Sequence, residues 1–353
     1  MTVKRNEARV VFHGNFEYSC GSSNALLGYS EAGKSLGVDV RASADIGCVD
    51  DKVSRIVSVA TVDWEADKHI FVYEGYQFLT NDQLILADGK IPQNKTILVD
   101  NDGKYSPPIF CKNDSNHNSL KEYLFWLFIF ERLSCKILQP SLGESLTNGV
   151  ESFIFYGIND QARTIEEVEK EYDLLYLGNN WHRWEDIKDL LLGISSIRRH
   201  VPKIGLIGNW WLSDFLEGYK EATWSDPALL EKQSVIVKSP PSYGQVEKTM
   251  SKGKMNPIFI RAILRKMKFV TPRMFETFLA NTIPLLPDYF DYAIDLYGSE
   301  VMPLIMSNGV NNTVMSILDN YEQIQRLCQS IREKLIREHS YKIKLEQLLE
   351  MSL

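Results

Sequence analysis

The sequence is poor in three features, and each scarcity argues against a class of protein. There are five cysteines, an odd number, with no CxxC pair among them: Cys20, Cys48, Cys111, Cys135 and Cys328. This spacing argues against a disulfide framework or a zinc site and favours reduced thiols in a cytoplasmic protein. The most apolar run, Tyr123–Phe130, is too short to cross a bilayer. No GxGxxG pattern follows a predicted strand, so a nicotinamide-dependent dehydrogenase loses support.

The chain also lacks a net positive charge. Its 353 residues include 39 Lys and Arg against 46 Asp and Glu, a net charge of −7, so a nucleic-acid partner is not expected. The 44% hydrophobic and 24% charged residues are ordinary for a soluble enzyme, and the length allows two domains. One dense basic segment, residues 252–268, predicts an anionic partner. A diphosphate, peripheral contact with an anionic membrane and a nucleic-acid backbone are the options; a basic solvated helix face is the alternative.

A strand, a loop, a helix and a second strand follow one another at the start of the chain. Ala8–Phe12 reads as a buried strand, Ala25–Leu36 as a helix capped by Ser22 or Ser23, and Val38–Val40 as the next strand. This βαβ order predicts a parallel sheet, in which ligands bind beyond the carboxyl ends of the strands. The candidate site residues in this region are His13, Gly14, Gly21 and Ser22.

Further strands are predicted in the first half of the chain at Arg55–Ala60, His69–Tyr73 and Thr96–Val99, and short strands at Ile137–Leu138 and Ser152–Tyr156. The strand Thr96–Val99 ends in an acidic turn that starts at Asp100. Its Asp-x-Asp-Gly pattern invites comparison with a calcium-binding loop, but the glutamate at the twelfth position is missing. An ordinary turn and a role at an acceptor site both remain open. A polar loop with His117 follows, and the apolar helix Lys121–Ser134 is assigned to the core.

The pattern restarts after a charged run, Gly157–Glu171, where we place a domain boundary. A second βαβ unit begins with the strand Asp173–Leu177 and continues with a loop, the helix Trp184–His200 and the strand Lys203–Ile207. The loops that leave its two strands contain the candidate ligand-binding residues Gly178, Asn179, Arg183 and Asn209. We therefore expect an α/β protein with two parallel sheets.

The stretch Val270–Leu286 contains the most distinctive pattern. Thr271-Pro272 starts a helix on which Arg273 and Glu276 lie three residues apart and project from one side. A cation and a carboxylate at a helix N-terminus favour binding of an anionic ligand. A surface ion pair on an ordinary amphipathic helix is the alternative.

The pattern Arg273-x-Phe-Glu276, followed by Ala-Asn281-Thr282-Ile-Pro, resembles the donor-site helix of nucleotide-sugar glycosyltransferases. The resemblance is strongest to the group-1 type and its spore-maturation-like relatives. It implies the GT-B fold, in which two Rossmann-like domains face a central cleft. The loop from Gly178 to Arg183 is similar to the family's loop that faces the donor diphosphate.

The resemblance also implies roles for individual residues. Glu276 would bind the ribose hydroxyls, and Arg183 would bind phosphate oxygens, which a guanidinium matches in geometry. Asn281 stands where the family commonly has glycine. The full set of implied donor-binding residues is Gly178, Asn179, Arg183, Asn209, Asn256, Arg261, Arg273, Glu276, Asn281 and Thr282.

On this basis we expect an acceptor-binding domain at residues 1–160, a donor-binding domain at 161–335, and a C-terminal helix at 336–353 that crosses back to brace the first domain. Gly14, Gly21 and Ser22 would belong to an acceptor loop. The expected activity is metal-independent transfer of a sugar from a nucleotide-diphosphate donor to the hydroxyl of a small-molecule or glycan acceptor, without a further cofactor. A non-catalytic nucleotide- or sugar-binding module and a DNA-base glycosyltransferase are the alternatives.

The stereochemical outcome stays open. Retaining members of the family carry a second glutamate eight residues before the ribose-binding one, and that position is Lys268 here. An inverting enzyme needs a general base at the acceptor hydroxyl. The candidates, in order, are His13, Asp100 and His117.

Overall fold

The structure, a computed structural model, contains two separate parallel sheets. It describes residues 8–14, 21–43, 58–60, 66–73, 93–107, 120–134, 136–143, 147–159, 168–212, 214–242 and 244–351. His117 and most of the charged run at 157–171 lie outside these residues, as does part of the strand predicted at Arg55–Ala60.

The first sheet has the strand order β3-β2-β1-β4-β5-β6-β7, and every neighbouring pair is parallel. Its strands are β1 (Arg9–His13), β2 (Asp39–Ser43), β3 (Ser58–Ala60), β4 (Lys68–Tyr73), β5 (Thr96–Asp100), β6 (Lys136–Gln139) and β7 (Val150–Ser152). The central strands are apolar and buried, as the sequence pattern predicts for a sheet covered on both faces.

The second sheet has the order β10-β9-β8-β11-β12 and is also parallel throughout. Its strands are β8 (Tyr172–Leu177), β9 (Ile204–Ile207), β10 (Val235–Lys238), β11 (Gly253–Pro257) and β12 (Ile283–Leu285). The prediction of two parallel-sheet α/β units is therefore confirmed.

Helices connect the strands. They are α1 (Gly21–Leu36), α2 (Leu120–Leu133), α3 (Trp184–Gly193), α4 (Lys220–Thr223), α5 (Pro227–Lys232), α6 (Val246–Met250), α7 (Ala262–Lys266), α8 (Arg273–Leu279), α9 (Ala293–Tyr297), α10 (Val310–Asp319), α11 (Tyr321–His339) and α12 (Tyr341–Glu350). Short 3₁₀ turns lie at Gln93–Lys95, Ser195–His200 and Ser299–Leu304. None of the helices within the described ranges has the length and hydropathy needed to span a membrane.

Two helix predictions need correction. The helix expected from Trp184 to His200 ends at Gly193, and a 3₁₀ turn with a non-helical Ile197 replaces its second half. Helix α1 starts at Gly21, so Ser22 and Ser23 lie inside its first turn and are not loop residues that precede it.

The assignment of α2 to the core was wrong. Phe130 and Leu133 are buried, but Leu124 is 53% exposed and Phe128 57%. The helix lies in the outer layer and packs against β5 with one face only. Its aromatic residues occur on several sides, so the other face keeps apolar side chains at the surface.

The C-terminal helix crosses back and braces the first sheet, as the predicted fold requires. Helix α12 packs on α1, where the Tyr341 ring lies directly over Gly28, so that a Cβ on Gly28 would overlap the ring. The backbone of Ile158 is hydrogen-bonded to His339 and Tyr341 on either side of Ser340. Ser340 adopts an extended conformation and caps α12 by accepting from the Ile343 amide.

A second junction joins the two units. The Val270 amide donates to the Pro140 carbonyl at 2.6 Å, and the Leu142 amide donates to the Lys268 carbonyl at 2.9 Å. These bonds form a short antiparallel bridge between Ser141 and Phe269. The segment 140–142 follows β6, whereas 268–270 leads into α8, so the bridge joins the end of one sheet to the start of the predicted donor helix. The domain limits at residues 160 and 335 stay predictions.

Candidate active site

The loops that leave β8 and β9 are fused to each other. The Gly178 amide donates to the Ile207 carbonyl at 2.8 Å, and the Asn209 amide donates to Asn179 Oδ1 at 2.9 Å. Gly208 makes this close approach possible, because a Cβ at that position would overlap the Gly178 carbonyl. Three of the predicted donor-binding residues, Gly178, Asn179 and Asn209, are thus brought together at the carboxyl edge of the second sheet.

Asn180 organises these loops and was not among the predicted site residues. Its side chain is buried, and Nδ2 lies 2.9–3.0 Å from the carbonyl oxygens of Trp210, Thr223 and Trp224. It therefore ties the first loop to the segment that follows Asn209. Nothing in the sequence indicated that the Asn180 side chain would point inward, because its hydrogen-bond acceptors lie 30–44 positions later in the chain.

Arg183 is held at the start of α3. Its Nη1 donates to the carbonyls of Trp181 at 3.2 Å and His182 at 3.4 Å, which leaves Nε and Nη2 for a ligand. Burial raises the pKa of nearby Asp186 to about 6, and the charge of Arg183 acts in the opposite direction. The Tyr289 hydroxyl donates to Asp186 Oδ1 at 3.0 Å. Arg183 therefore lies in a loop whose geometry is fixed from several sides.

Arg273 and Glu276 form the i,i+3 pair that their spacing predicts, with Nη1 and Oε2 3.6 Å apart. The pair is not a surface feature, because Glu276 is only 9% exposed. Arg273 Nη1 also lies 3.0 Å from the sulfur of Met250. A partly buried carboxylate beside an arginine, directly after the bridge at 268–270, suits ligand binding better than the surface alternative.

The remaining predicted donor residues have other surroundings. Asn256 and Thr282 are buried and hydrogen-bonded to each other at 2.8 Å, and Thr282 also donates to the Gly253 carbonyl. Asn281 has a positive φ of 51°, the left-handed conformation that glycine adopts most easily. Its carbonyl, at the start of β12, accepts from Lys170. Arg261 is half-buried at the start of α7.

Several cations of the basic segment 252–268 are already engaged. Lys252 pairs with Glu171 at 2.7 Å and Lys254 with Asp173 at 2.8 Å. The Arg265 guanidinium stacks on the Tyr289 ring at 4.5 Å. These contacts reduce the charge that the segment offers to an external surface. Membrane and nucleic-acid contact through the segment stay predictions.

In the first unit, Asp100 ends β5 in a buried hydrogen-bond network. Its Oδ1 accepts from the Lys104 amide at 3.0 Å, and its Oδ2 accepts from the Tyr105 amide and from Gln139 Nε2, each at 2.8 Å. Burial raises the pKa of Asp100 to about 6, although the three hydrogen bonds act to lower it. The aspartate is therefore a stronger base than a solvated carboxylate.

The surroundings of Asp100 include residues from three elements. Asn101 donates through Nδ2 to Ser22 Oγ at 3.3 Å, so the predicted acceptor-loop residues Gly21 and Ser22 lie beside the Asp100 turn. Met267, from the second unit, packs on Gly103, and its sulfur lies 3.6 Å from Ser106 Oγ. Gln139 was not predicted as a site residue; a buried polar side chain at the end of the apolar strand Ile137–Leu138 is the signal that could have identified it.

His13 ends β1 and is fully buried, with the buried Gly14 next to it. Its Nε2 lies 2.9 Å from His69 Nδ1, and its ring stacks on Phe71 at 4.5 Å. Burial, together with the neighbouring His69, lowers the pKa of His13 well below its usual value. The imidazole is therefore neutral at physiological pH.

A continuous path joins the two sides of the site. Asp100 is hydrogen-bonded to Gln139, and the next residue, Pro140, accepts from the Val270 amide. Three residues after Val270, α8 begins with Arg273. The bridge thus connects the strand end beside Asp100 to the segment that leads into the Arg273–Glu276 pair.

Comparison with known proteins defines the fold class. No protein-family model and no curated protein sequence matches the chain. Solved structures do match over nearly its whole length, and they are glycosyltransferases of the GT-B architecture. The chain therefore has the GT-B fold. The finer likeness to spore-maturation-like enzymes stays a prediction.

Three of these structures illustrate the range of similarity. A mutant of T4 phage BGT in complex with UDP-glucose has a TM-score of 0.62 at 13% identity and covers 98% of this chain and 99% of its own. An alpha-glucosyltransferase in complex with UDP-glucose and DNA containing an abasic site has a TM-score of 0.63 at 10% identity, with coverages of 97% and 99%. WaaG, a glycosyltransferase involved in lipopolysaccharide biosynthesis, has a TM-score of 0.54 at 12% identity, also with 97% and 99%. Such low identities establish the fold and leave the activity open.

Proposed function

We propose that the chain is a metal-independent glycosyltransferase that moves a sugar from a nucleotide-diphosphate donor to an acceptor hydroxyl. The observation that carries the proposal is the pairing of Pro140 with Val270. This pairing connects Gln139, the hydrogen-bond partner of the buried carboxylate Asp100, to the segment that leads into the Arg273–Glu276 pair, and we infer from it that the two face one cleft. The similar structures that hold UDP-glucose support a nucleotide-sugar donor.

The donor would occupy the carboxyl edge of the second sheet. The fused loops at Gly178 and Asn209 form this edge, and Arg183 supplies a fixed guanidinium for the diphosphate. Glu276 would accept hydrogen bonds from the ribose hydroxyls. Asn256, Asn281 and Thr282 are used in contacts within the second unit, and we do not include them in this site.

Asp100 is the base that we propose for the transfer step. Its carboxylate takes the proton of the acceptor hydroxyl while the acceptor oxygen forms a bond to the anomeric carbon. The bond from that carbon to the diphosphate breaks, and the nucleotide diphosphate leaves with the electron pair, stabilised by the charges of Arg183 and Arg273. A single displacement of this kind inverts the anomeric configuration. A pKa of about 6 suits the role, because the carboxylate is ionised at neutral pH and is more basic than usual.

A DNA acceptor is the second candidate, because one similar structure contains DNA and another is of a DNA-modifying beta-glucosyltransferase. The net charge of −7 opposes it, since duplex binding depends on phosphate neutralisation. WaaG shows that the same fold also occurs in lipopolysaccharide biosynthesis. A binding module without catalysis is the third candidate.

Incubation with a panel of nucleotide-diphosphate sugars tests the proposal. A transferase should release free nucleotide diphosphate slowly from one donor, and faster when its acceptor is added. Parallel reactions with duplex DNA and with small sugars as acceptors separate the first two candidates. Binding of a donor without any release would leave the binding module as the function.

The ribose-binding role predicts the effect of Glu276→Gln. Loss of charge-assisted hydrogen bonds at a partly buried site should weaken UDP binding by about 1.5–3 kcal/mol, roughly 10- to 150-fold, without unfolding the protein. Calorimetric titration with UDP measures this change.

Helix α3 offers a matched control, because Glu185 and Lys188 form an exposed i,i+3 pair of the same kind. Glu185→Gln should leave the affinity for UDP unchanged. Equal affinities for the two variants would return Glu276 to the status of an ordinary ion-pair residue.

Metal independence predicts that transfer survives an excess of chelator. Within the described ranges, no group of three or more His, Cys, Asp or Glu residues is arranged to hold a metal ion. One structure of T4 phage BGT contains Mn²⁺ together with UDP, so a direct test is informative. Turnover measured in EDTA should stay within about twofold of the untreated rate, far from the loss expected when an essential Lewis acid is removed. Complete loss that Mg²⁺ or Mn²⁺ reverses would contradict this part of the proposal.

A further inference from the structure

A groove of about 490 Å³ lies between α12 and the chain that follows β6 and β7. Its polar wall contains Ser141 and Ser152, its apolar wall contains Leu142, Ile154 and Met351, and Lys344 lines it from the helix. None of the residues assigned above to donor or acceptor binding lines this groove. Its volume lies in the range of small-molecule sites.

Lys344 is unusual for a lysine because it is only 5% exposed. Among the residues that the structure describes, no carboxylate or carbonyl oxygen lies within hydrogen-bonding distance of its ammonium group. Its Nζ lies over the Phe153 ring, 5.7 Å from the ring centroid. Burial lowers the pKa of Lys344 to about 8, so the group still carries a proton at neutral pH. A buried cation without an anion is energetically unfavourable, so an anion bound in this groove would stabilise the ammonium group of Lys344.

Ser141 adds a second polar group without a partner. Its Oγ is buried and makes no hydrogen bond, although its carbonyl accepts from the Ser152 hydroxyl. Buried hydroxyls are almost always hydrogen-bonded in folded proteins. Lys344 and Ser141 thus line the same groove, and among the described residues neither the ammonium group nor the buried hydroxyl has an acceptor.

We propose that this groove binds a small organic anion, with its phosphate or carboxylate group between Lys344 and Ser141 and its body along Leu142 and Ile154. Glu350 also lines the groove, six residues further along α12 and so about 9 Å away along the helix axis. The Glu350 carboxylate would repel an anion at its end of the groove. The charged group of the ligand is therefore expected at the Ser141 end. The inference goes beyond the proposed transferase activity and does not depend on it.

Phenyl phosphate and benzoate are suitable probes, and phenol is the neutral control. Calorimetric titration of the full chain should show saturable binding of at least one of the two anions and none of phenol at the same concentration. Lys344→Met should weaken that binding at least tenfold, since it removes the charge and retains much of the side-chain volume. Ser141→Ala should weaken it to a smaller extent.

Lys342→Met is the matched control on the same helix, because Lys342 does not line the groove. It should bind the anion like the wild type. The affinity of Lys344→Met for UDP should also be unchanged, which separates failure of this site from failure of the transferase proposal. Because Lys344→Met removes an uncompensated buried charge, the variant should fold. Its unfolding temperature should equal or exceed that of the wild type.

The proposal is overturned if neither anion binds, if phenol binds equally well, or if Lys344→Met and Lys342→Met have the same affinity. In those cases Lys344 serves as a structural residue whose ammonium contacts the Phe153 ring. A crystal soaked with phenyl phosphate gives an independent measurement, and its phosphate should lie within hydrogen-bonding distance of Lys344 Nζ.

Discussion

Replacing Asp100 with asparagine should lower the turnover of the transferase about 10²–10⁴-fold and change its affinity for UDP little. Asparagine has nearly the same shape but cannot accept the proton of an acceptor hydroxyl. Its single carbonyl oxygen replaces only one of the two carboxylate oxygens, so it can accept either from the Lys104 amide or from the Tyr105 amide. Steady-state kinetics with the donor found in the panel, together with UDP titration, measure the two effects separately.

Asp102→Asn is the control for this prediction, because Asp102 lies in the same turn and its charge contributes to the raised pKa of Asp100. Its turnover should remain within a small factor of the wild type. Similar losses in both variants would show that the charge of the turn matters and that Asp100 is not the base.

The pH dependence supplies a further measurement of the same prediction. Because Asp100 acts in its ionised form, kcat/KM should rise with pH through a pKa of about 6, and this rise should disappear in Asp100→Asn. The free energy of unfolding should change with pH in the opposite direction. The folded state binds this proton more tightly than the unfolded state, so the contribution of Asp100 to stability decreases as the pH rises from about 4 to about 6.

His13 preceded Asp100 among the candidates for the general base that the sequence offered. The two assignments predict opposite effects of replacing His13. His13 is buried against His69 and Phe71, and the burial that lowers its pKa weakens it as a base. With Asp100 as the base, His13→Asn should retain turnover within about tenfold of the wild type, well above the loss expected for a general base. A loss equal to that of Asp100→Asn would return the role to His13.

The strands and the loops that leave them could be predicted because both signals are local. Apolar runs such as Asp173–Leu177 end at Gly178, and the alternation of strand and helix predicts parallel sheets. The Arg273–Glu276 spacing was also sufficient, since neighbours at i and i+3 on a helix meet whatever surrounds them.

The contacts that assemble the site could not be predicted in the same way, because they join residues far apart in sequence. Gln139 reaches Asp100 across 39 positions, and Val270 reaches Pro140 across a whole domain. The mistake at α2 has a related cause. Its composition resembles that of a core helix, and only the tertiary arrangement shows that one face remains uncovered.

Replacing Gly208 with alanine should be among the most disruptive single changes in the second unit. A Cβ at this position would overlap the Gly178 carbonyl, and the residue has a φ of +155°, which side chains other than glycine rarely adopt. We expect overpacking and backbone strain together to lower the free energy of unfolding by roughly 2–5 kcal/mol. Chemical denaturation measures this loss.

The same substitution should weaken UDP binding in the protein that remains folded, because separating the two loops breaks the contact between Asn179 and Asn209. Gly218→Ala is the matched control. Gly218 has a φ of +81°, but apart from its chain neighbours no atom of the described residues lies within 4 Å of the position of its Cβ. Only the backbone strain of about 1–2 kcal/mol therefore applies, and UDP affinity should be unchanged. If Gly208→Ala is no less stable than Gly218→Ala and binds UDP equally well, the fused loops are not needed for donor binding, and the donor must be held mainly by the Arg273–Glu276 pair.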